Sequence, residues 1–136
     1  MSASLLIIRR FIDNNIQTFK NNFVMKDFMF IFRNGTEKSS SSPEEMQNNM
    51  QLWFAWVDKL KNQGIYVAGE PLTPPGKVLK GKQTVITDGP FAESKEVVGG
   101  FFIIKADTLE QAAELAKDCP DLPVGGTVEV REVMKM

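Results

Sequence analysis

Hydrophobic residues recur at two different spacings along this chain, and the two patterns predict its strands and helices. Runs rich in aromatic and β-branched residues, bounded by polar and turn-forming residues, are typical of strands. Such runs lie at 26–32, 65–70, 100–106 and 127–133. A further stretch at 77–87 predicts a hairpin that turns near Gly81, with strands around Val78 and Val85.

The segment between the first two strands carries helix signals. Ser42 is a suitable N-cap, Pro43 fits the first helical position, and Glu45 completes a capping box. Gly64 is a natural residue to follow the helix end. Trp56 is expected to pack in the core, with contact to a pocket as the alternative. Residues at helical spacing form the expected core stripe, which is Met46, Met50, Trp53, Val57 and Leu60.

A second helix is predicted before the last strand. Thr108 is its expected N-cap, Gln111 occupies the capping-box position, and Pro120 marks its end. Cys119 is interpreted as a buried thiol at this helix end, since no basic neighbour lowers its pKa. The apolar side of the helix is expected to be Leu109, Ala112, Ala113 and Ala116.

The first 24 residues differ from the rest. Apolar residues recur there at steps of three and four, namely Leu5, Ile8, Ile12, Ile16, Phe19 and Phe23. The chain is therefore predicted to comprise an amphipathic helical extension at 1–24 and one domain at 25–136. The extension would pack on the domain or on a partner chain. The alternative is that these residues come from a start codon placed too early.

The order of elements predicts an α+β fold. Two βα units around a hairpin give a ferredoxin-like split βαβ arrangement with an inserted hairpin. Its two helices can cover only one face of the sheet, yet the strands at 26–32 and 100–106 are apolar on both faces. A homodimer that packs these open faces together, as a dimeric α/β barrel, would bury the second face.

Composition excludes several classes of function. The 136 residues contain no histidine and one cysteine, and the net charge is −1. Ser-His-Asp and Cys-His catalysis are excluded, and no metal or cofactor is predicted. The charge balance argues against nucleic acid as a partner. No run approaches the roughly 20 apolar residues of a membrane span, and a lone cysteine fits a reducing cytoplasm.

Several charged residues are candidates for a site. Asp88 ends a strand before Gly89–Pro90, where it either caps a turn or acts as a catalytic carboxylate in a cavity. Glu70 is a second candidate, as a cavity carboxylate or a turn cap. Val128 and Val130 are expected to face the helices. Glu129 and Arg131 alternate with them and should therefore face the dimer side, where they are two further candidate ligand-binding residues. A buried arginine there would need a carboxylate or a small anionic ligand.

The segment after Asp88 holds the remaining candidates. Glu93 and Lys95 are expected to line a cavity entrance or to form solvated ion pairs. Gly99 and Gly100 are expected to permit a bulge or a close backbone approach before the next strand.

Three sequence blocks resemble the YCII-related DGPF domain family. They read VAGEPLTPP, ITDGPFAESKEVVGGFFII and AAELAKDCP, in the family's order, within a match from about Met25 to Val133. The resemblance implies a dimeric α+β barrel. Related proteins are proposed to be enzymes that use a His–Asp pair; Asp88 occupies the aspartate position, and this chain has no histidine. Many family members lie beside extracytoplasmic-function sigma factors, which implies such a partner.

Two functions follow as hypotheses. The first is a dimeric module that binds a small molecule or a regulatory partner, which the missing histidine favours. The second is a small isomerase, lyase or dehydrochlorinase-like enzyme, in which Asp88 moves a proton and Arg131 binds an anionic substrate. A polar pocket where Asp88, Glu70 and Arg131 converge would favour the enzyme, whereas a cavity filled by Phe and Met side chains would not.

Overall fold

A computed structural model describes residues 7–10, 25–33, 42–82, 85–88 and 97–136. The strands are β1 (Lys26–Arg33), β2 (Tyr66–Pro71), β3 (Lys77–Lys80), β4 (Val85–Asp88), β5 (Val98–Ala106) and β6 (Thr127–Glu132). The helices are α1 (Pro43–Asn62) and α2 (Leu109–Ala116), and a 3-10 turn follows α2 at Leu122–Val124. Residues 7–10 are helical, and the rest of the predicted N-terminal helix lies outside the described residues.

The topology confirms the split βαβ prediction. Strands β2, β5, β1 and β6 form an antiparallel sheet in that order, so β5 lies between the two strands that α1 connects. Strands β3 and β4 form the separate two-stranded hairpin that was predicted. Gly81 has a positive φ of 74° in its turn, a conformation that glycine adopts without steric cost.

One face of the sheet and the two helices enclose an aromatic core. On β1 the buried residues alternate, so Phe28, Phe30 and Phe32 point to the helices. The rings of Phe30 and Trp56 stack with centroids 6.1 Å apart, and Phe102 of β5 meets Phe32 edge to face at 4.8 Å. Such aromatic pairs contribute beyond the area they bury.

Helix α1 has the predicted ends but a different buried stripe. The Ser42 hydroxyl accepts from the Glu45 backbone N–H, and Gly64 after the helix has φ 73°. Trp56 and Leu60 are its buried residues, which confirms core packing for Trp56. The prediction that Met46 and Met50 are in the core is wrong, since both are more than half exposed. Trp53 and Val57 are partly buried and pack against the core, so the predicted stripe holds from Trp53 to Leu60 and fails at the two methionines before it.

Helix α2 shows a similar mixture. Thr108 accepts from the Gln111 backbone N–H as its N-cap, and Ala112 and Ala116 are buried as predicted. Leu109 and Ala113, however, are exposed, so that part of the predicted apolar side is wrong. Close packing on β6 and β5 needs small residues, and the two buried alanines provide that contact. Cys119 is buried after the helix, as predicted.

Glycine residues mark the start of β5. Pairing with β1 runs from Phe32 opposite Gly100 to Arg33 opposite Val98, so Gly99 is the extra residue of a bulge. A Cβ on Gly100 would lie 2.9 Å from the carbonyl oxygen of Glu70, which leaves room only for glycine. Both predicted roles, bulge and close approach, are confirmed here.

Candidate functional site

A large groove borders α1 along most of its length. Its volume is about 1000 Å³, and it extends to the end of β2, the start of β5 and the 3-10 turn. We call it the α1 groove. Its apolar lining among the described residues includes Met46, Met50, Leu52, Trp53, Phe54, Val57, Pro71, Phe102, Pro123 and Val124. Ligand sites typically combine such an apolar wall with a few polar groups.

Aromatic rings cluster on one side of the groove. Trp53, Tyr66 and Phe102 line it together, with Phe102 edge to face against both of the others at centroid distances of 5.7 and 5.4 Å. A Cβ on Gly69 would lie 2.5 Å from Phe102 Cδ1 and 2.6 Å from the Tyr66 hydroxyl oxygen. Glycine at this position therefore makes room for both rings.

A bulge in β2 places Tyr66 on this side. In an unbroken strand Tyr66 and Gly69, three residues apart, would face opposite ways. The register shift between Tyr66 and Ala68 changes this, since Tyr66 pairs with Ile104 and Gly69 with Phe102, two residues that face the helices. Val67 is the extra residue and is 47% exposed. The bulge thus adds a phenol to the groove.

The titration of Tyr66 is shifted by its surroundings. Burial of the phenol raises the pKa of Tyr66 above its ordinary value of 10.0, and the negative charge of Glu70 raises it further. The Lys61 ammonium lies 5.5 Å from the centre of the Tyr66 ring. The Tyr66 phenol and the Lys61 ammonium therefore meet on the groove side of β2, and the Glu70 charge acts on the phenol from the same strand.

Asp121 is a groove residue that the sequence did not single out. It is 3% exposed, and its Oδ1 accepts from Asn49 Nδ2 at 3.1 Å and from Trp53 Nε1 at 3.2 Å. Its carbonyl oxygen accepts from the backbone of Gly126 at 2.8 Å. Asp121 therefore ties α1 to the segment before β6 and fixes the orientation of the Trp53 ring. A partly buried indole N–H usually requires a hydrogen-bond acceptor, so Trp53 is the feature of the sequence that points to a residue such as Asp121.

The predicted site residues do not converge. Glu70 borders the α1 groove, but it pairs with Phe101, so its side chain lies on the open face of the sheet. Asp88 instead lies on the β3–β4 hairpin, where its side chain is 84% exposed and accepts a hydrogen bond from Lys77 directly across the two strands. Asp88 is not among the residues that line the groove, and Gly89–Pro90, which it was predicted to cap, lies outside the described residues.

Two other candidates lie on the open face of the sheet. Glu129 accepts from Arg33 at 3.2 Å, and Arg131 Nη1 lies 4.0 Å from Glu129 Oε2. Val128 and Val130 pack against the core on the other face, as predicted. The Arg131 side chain is 73% exposed, so it is not a buried charge in the isolated chain. Glu93 and Lys95 lie outside the described residues.

The described residues form neither a metal-ligand cluster nor a membrane-spanning helix. Over the parts of the chain that the structure describes, no three His, Cys, Asp or Glu residues are grouped as metal ligands would be. Among the described helices, none has the length and apolar character needed to cross a membrane.

The fold and the groove define an α+β protein of the split βαβ type with a cavity of ligand size. The sequence profile of the YCII-related domain matches residues 28–136. The chain therefore belongs to the YCII-related family. An uncharacterized protein of Rhizobium meliloti (strain 1021) is 42% identical over 50 residues, which are 36% of this chain and 40% of that protein. The match thus spans less than half the length of this curated relative.

Proposed function

We propose that this protein is a small-molecule-binding module whose ligand lies in the α1 groove. The observation that carries the proposal is the groove itself, about 1000 Å³ in volume with an aromatic side and polar groups at Tyr66 and Lys61. Both the size and this combination are typical of ligand sites. The exposed Asp88, paired with Lys77, offers less support for the alternative enzyme.

Exposed apolar side chains on α1 supply a driving force for binding. Met46, Met50 and Phe54 follow one another at steps of four, and each is more than half exposed. Covering apolar surface contributes roughly 25 cal/mol for each Å² removed from water. A ligand in the groove would cover these side chains, and the binding free energy would include this contribution.

A neutral fluorescent probe tests the proposal. We expect N-phenyl-1-naphthylamine to bind saturably with an increase in its emission. Met50→Arg places a charge on the groove wall and should weaken binding by about tenfold or more, since about 1.4 kcal/mol is enough for that change. Leu79→Arg is the matched control, because Leu79 is 59% exposed against 56% for Met50 but lies on the hairpin, outside the groove.

Two outcomes would count against the proposal. One is the absence of saturable binding by the wild-type protein. The other is that Met50→Arg and Leu79→Arg weaken binding equally, or that neither variant weakens it, because the probe would then bind outside the groove. Far-ultraviolet circular dichroism and the unfolding midpoint of each variant establish that the fold is intact.

We also propose that the module acts as a homodimer through the open sheet face. The face carries Met29, Ile31, Phe101 and Ile103, which are neither fully buried nor fully exposed in one chain. Charged pairs such as Arg33–Glu129 surround them, as in an interface with an apolar centre and a polar rim. Light scattering should give the mass of a dimer for the wild-type protein. Ile31→Glu should shift the mass to that of the monomer, and Leu79→Glu should leave it unchanged. A wild-type monomer at micromolar concentration would refute the dimer.

A sigma-factor partner stays a prediction from family resemblance.

A further inference from the structure

We infer that the α1 groove binds planar aromatic ligands in preference to saturated ligands of the same skeleton, and that the Trp53 indole is the surface on which they stack. This inference rests on the proposed binding function and adds the class of ligand. Three observations about Trp53 carry it, namely its place in the groove lining, the rings around it and the acceptor of its N–H.

The rings around Trp53 leave a stacked position on it unoccupied. They are Phe32, Trp56 and Phe102, with centroids 4.8, 5.5 and 5.7 Å away and planes inclined to the indole at 83°, 58° and 88°. None of these three rings lies flat against it. Trp53 is only partly buried and is part of the groove lining, so a flat ring in the groove can take that position. Offset stacking is one of the arrangements that aromatic pairs prefer.

A buried hydrogen bond fixes the orientation of this indole. Trp53 Nε1 donates at 3.2 Å to Oδ1 of Asp121, which is 3% exposed, and the same oxygen accepts from Asn49 at 3.1 Å. Trp56, which does not line the groove, is different, because its Nε1 has no hydrogen-bond partner in the structure. The indole that an acceptor fixes is therefore the one at the groove. A ring that is already ordered loses little freedom when a ligand stacks on it, which favours binding.

Further rings extend the aromatic side of the groove. Phe102 meets the Tyr66 ring edge to face at 5.4 Å, and Phe54, which is 63% exposed, also lines the groove. The absence of a side chain at Gly69 makes room for the first two rings. A saturated ligand on these rings would gain only the burial of apolar area. A planar aromatic ligand would gain the contact between rings as well.

The test compares two neutral alcohols that share one fused-ring skeleton. 1-Naphthol is planar and aromatic, whereas decahydro-1-naphthol is its saturated and puckered counterpart. Both compete with N-phenyl-1-naphthylamine at neutral pH, where both are uncharged. We expect 1-naphthol to displace the probe at a concentration about threefold to tenfold below that of decahydro-1-naphthol, since contact between aromatic rings adds roughly this factor to the burial of apolar area.

Two tryptophan variants locate the selectivity. Trp53→Leu removes the stacking surface and should bring the two displacement concentrations within about twofold of each other. Trp56→Leu is the matched control, because it makes the same change in an indole outside the groove lining, and it should leave their ratio unchanged. Far-ultraviolet circular dichroism establishes that each variant folds. Where a leucine variant does not, the phenylalanine variant replaces it, and Trp53→Phe should then reduce the ratio while Trp56→Phe leaves it unchanged.

A second pair of variants tests Asp121 as a positioning residue for Trp53. Asp121→Ala removes the acceptor of the indole N–H and should reduce the preference for 1-naphthol by about twofold or more. Asp121→Asn keeps an acceptor oxygen and should restore the preference. Near-ultraviolet circular dichroism of the indole bands should decrease in Asp121→Ala and recover in Asp121→Asn. If Asp121→Ala weakens both alcohols equally, Asp121 supports the fold and does not position the ring.

The outcomes separate this inference from the proposed function. If the neutral probe binds and Met50→Arg weakens it, but decahydro-1-naphthol competes as well as 1-naphthol, the selectivity is refuted and the binding function stands. An equal loss of selectivity in Trp53→Leu and Trp56→Leu would also refute it. If the neutral probe does not bind, titration calorimetry with the two alcohols decides. Tighter binding of 1-naphthol would support the selectivity, and no heat from either alcohol would overturn both proposals.

Discussion

The two halves of α1 are stabilised by different kinds of contact. The C-terminal half buries Trp56 and Leu60 against the sheet, whereas Met46 and Met50 in the N-terminal half remain exposed along the groove. The N-terminal half is instead held by polar contacts, namely the Ser42 cap and the hydrogen bond from Asn49 to Asp121, which also accepts from Trp53 in the middle of the helix. The core thus depends on the C-terminal half, whereas the exposed apolar side chains of the N-terminal half lie along the groove.

The largest expected effect is in the buried half. Leu60 is 1% exposed, and Leu60→Ala should lower the free energy of unfolding by about 2–5 kcal/mol through lost burial and a cavity. Met50→Ala should change it by less than about 0.5 kcal/mol, since exposed positions contribute little. Urea unfolding measures both. Similar losses at the two positions would mean that Met50 is covered in solution.

The polar contacts of the other half come next. Asp121→Ala leaves the Asn49 and Trp53 donors without this acceptor and should cost about 1–3 kcal/mol. Trp53→Phe keeps most of the ring and removes one donor. In a double-mutant cycle the two changes should be non-additive by at least about 0.5 kcal/mol. Additive losses would show that the Asp121–Trp53 hydrogen bond does not stabilise the helix.

The cap should give a smaller effect. Ser42→Ala removes the acceptor for the Glu45 N–H and should cost about 1 kcal/mol in urea unfolding. Ser42→Asp, which retains a capping oxygen, is the matched control and should be close to wild type. A loss in Ser42→Asp equal to that in Ser42→Ala would point to a role of the hydroxyl other than capping.

The smallest effect concerns pH. Tyr66 is the chain's single tyrosine, so phenolate absorbance reports it directly. Because its pKa is raised above 10.0 in the folded protein, the unfolded chain loses this proton first. The contribution of Tyr66 to stability is therefore fully present below pH 10.0 and is lost as the pH rises through the folded pKa. Glu70→Gln should lower the pKa of Tyr66 only part of the way to 10.0, since burial is the larger cause. An unchanged midpoint of the phenolate titration would contradict the role of Glu70.

Local sequence signals predicted most of the fold. Caps at Ser42 and Thr108, the turn at Gly81 and the bulge at Gly99 depend on residues close in the chain, and each is confirmed. The point where α1 leaves the core was not predictable in the same way. Helical spacing extends the apolar stripe from Leu60 back to Met46, but only the part from Trp53 onwards contacts the core.

The site was predictable only in part. Glu70 was singled out as a residue after a strand; it lies within β2 and borders the groove, and the register places its side chain on the open face. Asp121 was missed because its partners, Asn49 and Trp53, are about 70 residues away in the chain, at separations of 72 and 68. The bulge at Val67 has no glycine to mark it, so the orientation of Tyr66 could not be derived from alternation. Long-range contacts define this groove, and sequence spacing does not report them.

The two tryptophans of the chain, Trp53 and Trp56, have consequences for its optical spectrum. Trp56 is 4% exposed, and in the structure its Nε1 is buried without a hydrogen-bond partner, whereas Trp53 donates to a carboxylate beside the groove. Their rings are 5.5 Å apart at the centroids, close enough for excitation energy to pass between them. Emission from the wild-type chain should therefore combine the two environments. Trp53→Phe leaves Trp56 as the single indole, and its emission should lie at the shorter wavelength of a buried ring.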